Sequence, residues 1–294
     1  MSLDLRGPVE ESLRRPAHQR AVDADTTPLR VWNWIWPKLL AVGLVILIWQ
    51  SAVWTQWKPS YILPSPEDVF SRLGHELVGD SSTDQTLWSQ LSRTMIRGTT
   101  GYAIAIAIGT ALGIAVVQWR AMRMAVGSLV AGMQTMPSIA WFPLAILFFG
   151  LTENAILFVV VLGAAPSIAS GVITGIDEVP PPFLRAGQMI GARGVDRYCH
   201  IVLPAAMPAY LAGLKQGWAF SWRSLLAGEL LVPIGGASSL GSALMYSRTI
   251  PNGAPWLLSL MIVILVIGMV IDGIFGCFTR RMRLGRGLTG SVST

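Results

Sequence analysis

The stretch Pro180-Pro181-Pro182-Phe183-Leu184-Arg185-Ala186-Gly187-Gln188-Met189-Ile190-Gly191, running on to Ile201-Val202-Leu203-Pro204, decides how this chain is read. It is a basic, turn-rich island between two long apolar segments. Its prolines end whatever helix precedes them, because the ring clashes with the preceding turn. Phe183 to Ile190 then reads as a short helix, with Gly191 as its C-terminal stop. Arg193-Gly194-Val195-Asp196 reads as a turn, and a second short amphipathic run leads into Leu203-Pro204. Helix connections in bundles are commonly about 2–8 residues. An island over residues 177–204 is far longer, so it is expected to dock a partner.

Outward from the island, the chain is apolar. Hydrophobic residues make up 52% of its 294 residues and charged residues only 13%. A helix crossing the hydrocarbon core needs about 20 mostly apolar residues. Six segments meet that need or nearly do: residues 37–54, 98–117, 122–149, 154–176, 204–232 and 255–278. The third is interrupted by Pro137 and Pro143. The expected fold class is therefore an all-α membrane protein with six transmembrane helices. Residues 1–36 read as a polar, disordered cytosolic tail, 37–278 as the transmembrane domain, and 279–294 as a basic cytosolic tail. Trp32, Trp34 and Trp36 at one end of the first span, with Trp54 and Trp57 at the other, read as aromatic belts.

The net charge of +6 is a matter of topology, not of nucleic-acid binding. With the N-terminus inside, the inner segments hold Arg6, Arg14, Arg15, Arg20, Arg30, Lys38, Arg120, Arg123, Arg185, Arg193, Arg197, Arg280, Arg281, Arg283 and Arg286. The outer ones hold Lys58, Arg72, Arg93, Arg97 and Arg248. That excess of about three to one puts both termini and the island in the cytosol. The localisation expected is a multi-pass protein of the plasma membrane.

The residues exclude several functions. There is no GxxxxGK[ST] phosphate loop, so this chain does not hydrolyse ATP. His18, His75 and His200 are scattered and read as solvated. Cys199 and Cys277 are far apart and form no metal or disulfide motif. Neither an enzymatic site nor a cofactor is expected in the chain. Lys215, Arg223 and Glu229 in the fifth span, and Asp272 in the sixth, must face protein or water, since a charge at mid-bilayer costs about 2.5–3.5 kcal/mol on insertion scales. Arg223 and Glu229 are six residues apart, on different faces of a helix. Two readings of Arg223 stand: it lines a pathway and attracts an anionic head group, or it pairs with a carboxylate on another helix or on a second copy. Asp272 is expected to meet the basic C-terminal tail. Gly109-Thr-Ala-Leu-Gly113 and Gly171-Val-Ile-Thr-Gly175 are either helix-packing pairs or chance in a glycine-rich chain.

In its spacing the island resembles the EAA loop of the permease subunits of ABC importers. That pattern is Glu-Ala-Ala, three residues, Gly, nine residues, Ile, one residue, Leu-Pro. Ala186, Gly191, Ile201, Leu203 and Pro204 fall in register, while Arg185 replaces Glu and Gly187 replaces Ala. Leu63-Pro64-Ser65-Pro66 is similar to the segment after the first span in sulfonate, taurine, nitrate and bicarbonate permeases. Gln134-Thr-Met-Pro137-Ser-Ile-Ala-Trp141-Phe-Pro143-Leu with Phe149-Gly150 resembles their third-span signature, and Trp222-Arg223-Ser-Leu-Leu-Ala-Gly-Glu229 their fifth.

The resemblance implies a type I ABC importer permease fold and the import of a small, anionic solute of the sulfonate or taurine kind. Nitrate, bicarbonate or a thiamine precursor are alternatives within the class, and an ion-gradient-driven secondary transporter is the alternative outside it. The implied partners are a second copy of the chain, two ATP-binding subunits that carry ATP and Mg, an extracytoplasmic substrate-binding protein and membrane lipid. The implied coupling residues are Phe183, Arg185, Ala186, Gly187, Gly191, Ile201, Leu203 and Pro204. The implied pathway residues are Gln134, Pro137, Trp141, Trp222, Arg223 and Glu229. Arg185 either meets an acidic or neutral group on the ATPase or turns to Asp177 or Glu178.

Overall fold

The computed structural model describes residues 17–79, 86–232, 234 and 238–285. Among the described residues all regular structure is helical. The longer elements are α1 (Ala17–Trp54), α2 (Pro66–Val78), α3 (Leu87–Gln118), α4 (Arg120–Thr135), α5 (Phe142–Phe149), α6 (Glu153–Asp177), α7 (Pro181–Met189), α8 (Leu203–Leu231), α9 (Leu240–Ser247) and α10 (Ala254–Gly285). The chain divides into two compact units, Met1–Asp68 and Val69–Thr294.

In the first unit the backbone is helical from Ala17 to Trp54, starting well ahead of the span expected at Pro37 and running through Pro28 and Pro37. Residues 1–16 and 286–294, parts of the two expected tails, lie outside the described residues. Trp49 Nε1 donates to the Pro64 carbonyl at 3.0 Å. Ser65 then caps α2: its amide and hydroxyl both donate to Asp68 Oδ2, at 3.1 and 2.6 Å, and Asp68 N–H donates back to Ser65 Oγ at 3.2 Å. That reciprocal pair satisfies donors that a helix start leaves free.

The second unit is built around α6, whose apolar run packs against α3 on one side and α8 on the other. Lipid gives no hydrophobic drive between helices, so close backbone approach supplies the contact energy. The paired glycines provide it. A Cβ on Gly109 would sit 2.6 Å from the Ala165 carbonyl oxygen, and one on Gly113 2.7 Å from Val172 Cβ. On the other face, Gly171 and Gly213 meet backbone to backbone, with a Cβ on Gly171 only 2.8 Å from Gly213 Cα. The packing reading of both small-residue pairs therefore holds. Two interhelical hydrogen bonds add register between α3 and α8: Tyr102 OH donates to the Leu214 carbonyl at 2.8 Å, and Thr110 and Tyr210 hydroxyls lie 2.9 Å apart.

Among the described residues four helices are long and apolar enough to cross a membrane: residues 35–54, 87–118, 153–177 and 254–282. The interrupted third segment is a bent pair, with residues 125–135 and 138–149 turned 104° at the break. Met136 is extended ahead of Pro137, as a residue before proline prefers. Counted as one span, the pair makes five. The remaining segment, α8, has 29 residues, length enough to cross, but carries Lys215, Arg223 and Glu229. The expected count of six thus stands at four or five on length and apolarity among the described residues; α8 falls below that measure, its three charges joined by weakly apolar or polar residues such as Pro208, Gln216 and Ser221.

Candidate functional site

The island folds much as its prolines and glycines dictate. Pro181 and Pro182 occupy the first turn of α7, where a missing N–H costs nothing. Gly191 ends it with φ +81°, a conformation that side chains with a Cβ resist. The Ala192 N–H then closes back onto the Gly187 carbonyl at 2.9 Å. After one turn at Val195–Arg197 the chain winds wide over Tyr198–Val202, and Leu203 N–H reaches the Tyr198 carbonyl. Pro204, which lacks an N–H, follows at the start of α8.

Gly187 faces inward, and a Cβ there would collide with Cδ1 of Ile201. The departure at Gly187 is thus matched to the isoleucine of the same motif: the two halves of the island lock through this contact. The outer side of the turn is open. Phe183 is 57%, Met189 82% and Ile190 83% exposed, and Arg185, Ala186, Leu203 and Pro204 are exposed as well. A cleft of about 360 Å³ between Gln188, Ala192, Arg193, Gly194 and Arg197 completes the surface. Arg185, Arg193 and Arg197 have no ion-pair partner among the described residues. Asp177 is taken by Arg123 at 2.8 Å, so Arg185 does not turn to it.

The residues expected along a pathway separate into two groups. Gln134, at the end of α4, donates to Ser170 Oγ at 2.7 Å and accepts from Ser167 at 3.4 Å, which ties the bent segment to α6. Pro137 is exposed at the bend, and Trp141 is half-buried against the core. Arg223 is exposed on α8 with its guanidinium 5.4 Å from the Phe220 ring centre. It has no carboxylate partner among the described residues. Trp222 and Glu229, by contrast, point into the protomer. Trp222 is 8% exposed and stacks on Trp218, with ring centres 6.4 Å apart.

Glu229 has no exposed side-chain surface. Its carboxylate accepts from Arg97 Nη1 at 2.6 Å, from Thr94 Oγ1 at 2.9 Å and from the Gly241 N–H at 3.1 Å. Thr94 Oγ1 in turn accepts from the Leu240 N–H at 3.0 Å. Arg97 Nη2 continues to Glu153 at 2.5 Å. One cluster therefore joins α3, α6, α8 and the first turn of α9, where a carboxylate also suits the helix dipole. Thr94 and Arg97 share a helix face at i, i+3, but nothing local marks a partner more than 130 residues away. Asp272 meets Lys215 at 3.0 Å, both near the middle of their helices; of the tail expected as its partner, residues 286–294 lie outside the described residues.

A family model described as the binding-protein-dependent transport system inner membrane component matches residues 105–284, more than half of the chain. The chain belongs to this family. An ABC transporter permease of Methanocaldococcus jannaschii is 31% identical over 238 residues, 80% of this chain and 86% of that protein. The taurine transport system permease TauC of Escherichia coli is 26% identical over 206 residues, 68% of this chain and 75% of its own length. The solved structure of an amino acid ABC transporter aligns at TM-score 0.53 with 17% identity, covering 66% of this chain and 92% of that one. That likeness shows the fold, and the family membership makes the chain an importer permease, a transport subunit of the inner membrane.

Proposed function

We propose that this permease forms half of the membrane path of an ATP-driven importer for a small anion of the sulfonate or taurine kind. Two copies assemble with two cytosolic ATP-binding subunits, which carry ATP and Mg, and with an extracytoplasmic binding protein. Both termini are cytosolic in a six-span topology, with α8 as the charged span. The observation that carries the reading is the exposed, preformed turn over residues 181–202. A basic surface with three large apolar side chains in water is costly unless covered, and such patches mark interaction sites. ATP-driven closure of the ATPase dimer draws the two turns together. Because α6 and α8 meet at Gly171 and Gly213, a push at the turn moves both helices as one body and tilts the path outward. Hydrolysis reverses this two-state switch.

Arg223 is the proposed anion contact, with Gln134, Pro137 and Trp141 shaping the path; Trp222 and Glu229 belong to the scaffold behind it. Support for a sulfonate comes from the taurine permease and the aliphatic sulfonate permease of Escherichia coli among the relatives. The test is assembly with the cognate ATPase. Gly191→Trp should leave the chain inserted but abolish co-purification or substrate-stimulated ATP hydrolysis. A fully coupled complex carrying Gly191→Trp would refute the docking role.

A further inference from the structure

At the end of α3 and α6 away from the island lies a cavity of about 300 Å³ lined by Arg93, Ile96, Arg97, Thr100, Glu153 and Leu157. Its polar groups are only partly used. The Arg97 side chain is 9% exposed, yet its buried Nε has no hydrogen-bond partner. Arg93 is half-buried and has neither an ion pair nor a hydrogen bond among the described residues. Glu153 gives one oxygen to Arg97; its side chain is 59% exposed.

Depth and surroundings say what fits. From Gly98 to Val117 α3 carries no charge, a run of about 30 Å at 1.5 Å per residue, the thickness of the hydrocarbon core. Arg93 and Arg97 are the last charges before it, at the level of lipid headgroups. Below the cavity, Ile104 and Ile108 follow at a four-residue step along α3, 39% and 48% exposed. A bare soluble anion would be repelled by Glu153 and would leave that apolar track uncovered. A ligand carrying a phosphate, a primary ammonium and an acyl chain uses all three features.

We propose that this groove binds a phospholipid of the phosphoethanolamine class, with Arg93 and Arg97 on the phosphate, Glu153 on the ammonium and the isoleucine track along one acyl chain. Its assignment to the outer leaflet rests on the proposed topology; the binding does not. Charge-assisted bonds to phosphate are the strong ones, so the loss of one is readable as retained lipid.

The test is native mass spectrometry of the full chain in detergent, offered equal amounts of dioleoyl phosphatidylethanolamine, phosphatidylcholine and phosphatidylglycerol. Wild type should retain phosphatidylethanolamine preferentially. Arg93→Gln, which breaks no contact within the protein, should lower that occupancy about tenfold without changing the melting temperature. Glu153→Gln should erase the preference over phosphatidylglycerol while lipid is still held. Equal retention by wild type and Arg93→Gln, or no headgroup preference in wild type, overturns the proposal. Displacement of the lipid by millimolar inorganic phosphate or taurine overturns it in favour of a soluble anion. Lipid retention is read without ATPase or transport, so its failure leaves the transport reading intact.

Discussion

Arg223 and Glu229 stand six residues apart on one helix, and their surroundings are opposite. Glu229 is fully buried and its carboxylate is saturated by a guanidinium, a hydroxyl and a backbone N–H. Arg223 is exposed and, among the described residues, has an aromatic ring beside it and no carboxylate. An insertion scale charges both residues alike. What separates them is the 100° step of the helix: one face looks into the protomer, the other away from it. A charge within an apolar segment is therefore two different statements, and only its partners tell which. Glu229 is tied into the packed helices, whereas Arg223 has no carboxylate partner among the described residues.

The largest effect should come from breaking the saturated side. Glu229→Ala leaves Arg97 buried against Glu153 alone, and removing one member of a buried pair costs about 3–5 kcal/mol. Thermal unfolding of the detergent-solubilised chain should show a large drop in melting temperature, or the variant should fail to accumulate. A variant of wild-type stability would mean that Glu229 is not structural, and the contrast with Arg223 would collapse.

The other side should respond in a different currency. Arg223→Gln should leave stability within about 0.5 kcal/mol, as for an exposed site with no partner. Solute uptake should fall about tenfold, the scale of one charge-assisted contact to an anion. Melting temperature and uptake, measured on the same preparation, check both halves. Loss of stability with uptake per folded protein unchanged would place Arg223 in the scaffold.

What was legible in the sequence follows the range of the physics involved. Apolar runs, the break at Pro137 and the helix stop at Gly191 are local properties, so hydropathy and turn chemistry located them. The glycine pairs were visible as spacing, and their partners Ala165, Val172 and Gly213 became visible only in the packed helices. The partner of Glu229 is not legible, because Arg97 lies in another span and reads there only as a topology signal. Asp272 read as a partner of the tail because Lys215 lies on a different helix. From spacing alone, Gly for Ala at position 187 is just a departure from the motif. It is a fit to Ile201, fourteen residues on, that only the folded turn brings into contact.

The smallest effect concerns the exposed face of that turn. Arg185 has no ion pair among the described residues, so Arg185→Glu should leave the chain's own stability unchanged. If the ATPase presents an acidic group opposite, reversal weakens assembly by roughly 0.2–1 kcal/mol, the value of a surface pair; opposite a neutral group it leaves assembly unchanged. Titration of the ATPase against wild type and variant measures it. A clear gain in affinity would mean that Arg185 faces a cation.

The most direct measurement of the whole account is uptake of labelled taurine into proteoliposomes holding this chain, its ATPase and its binding protein. Uptake should require the binding protein outside and ATP on the ATPase side, persist when ion gradients are collapsed, and vanish in the Gly191→Trp complex. Uptake by this chain alone, driven by an imposed ion gradient and indifferent to ATP, would contradict it.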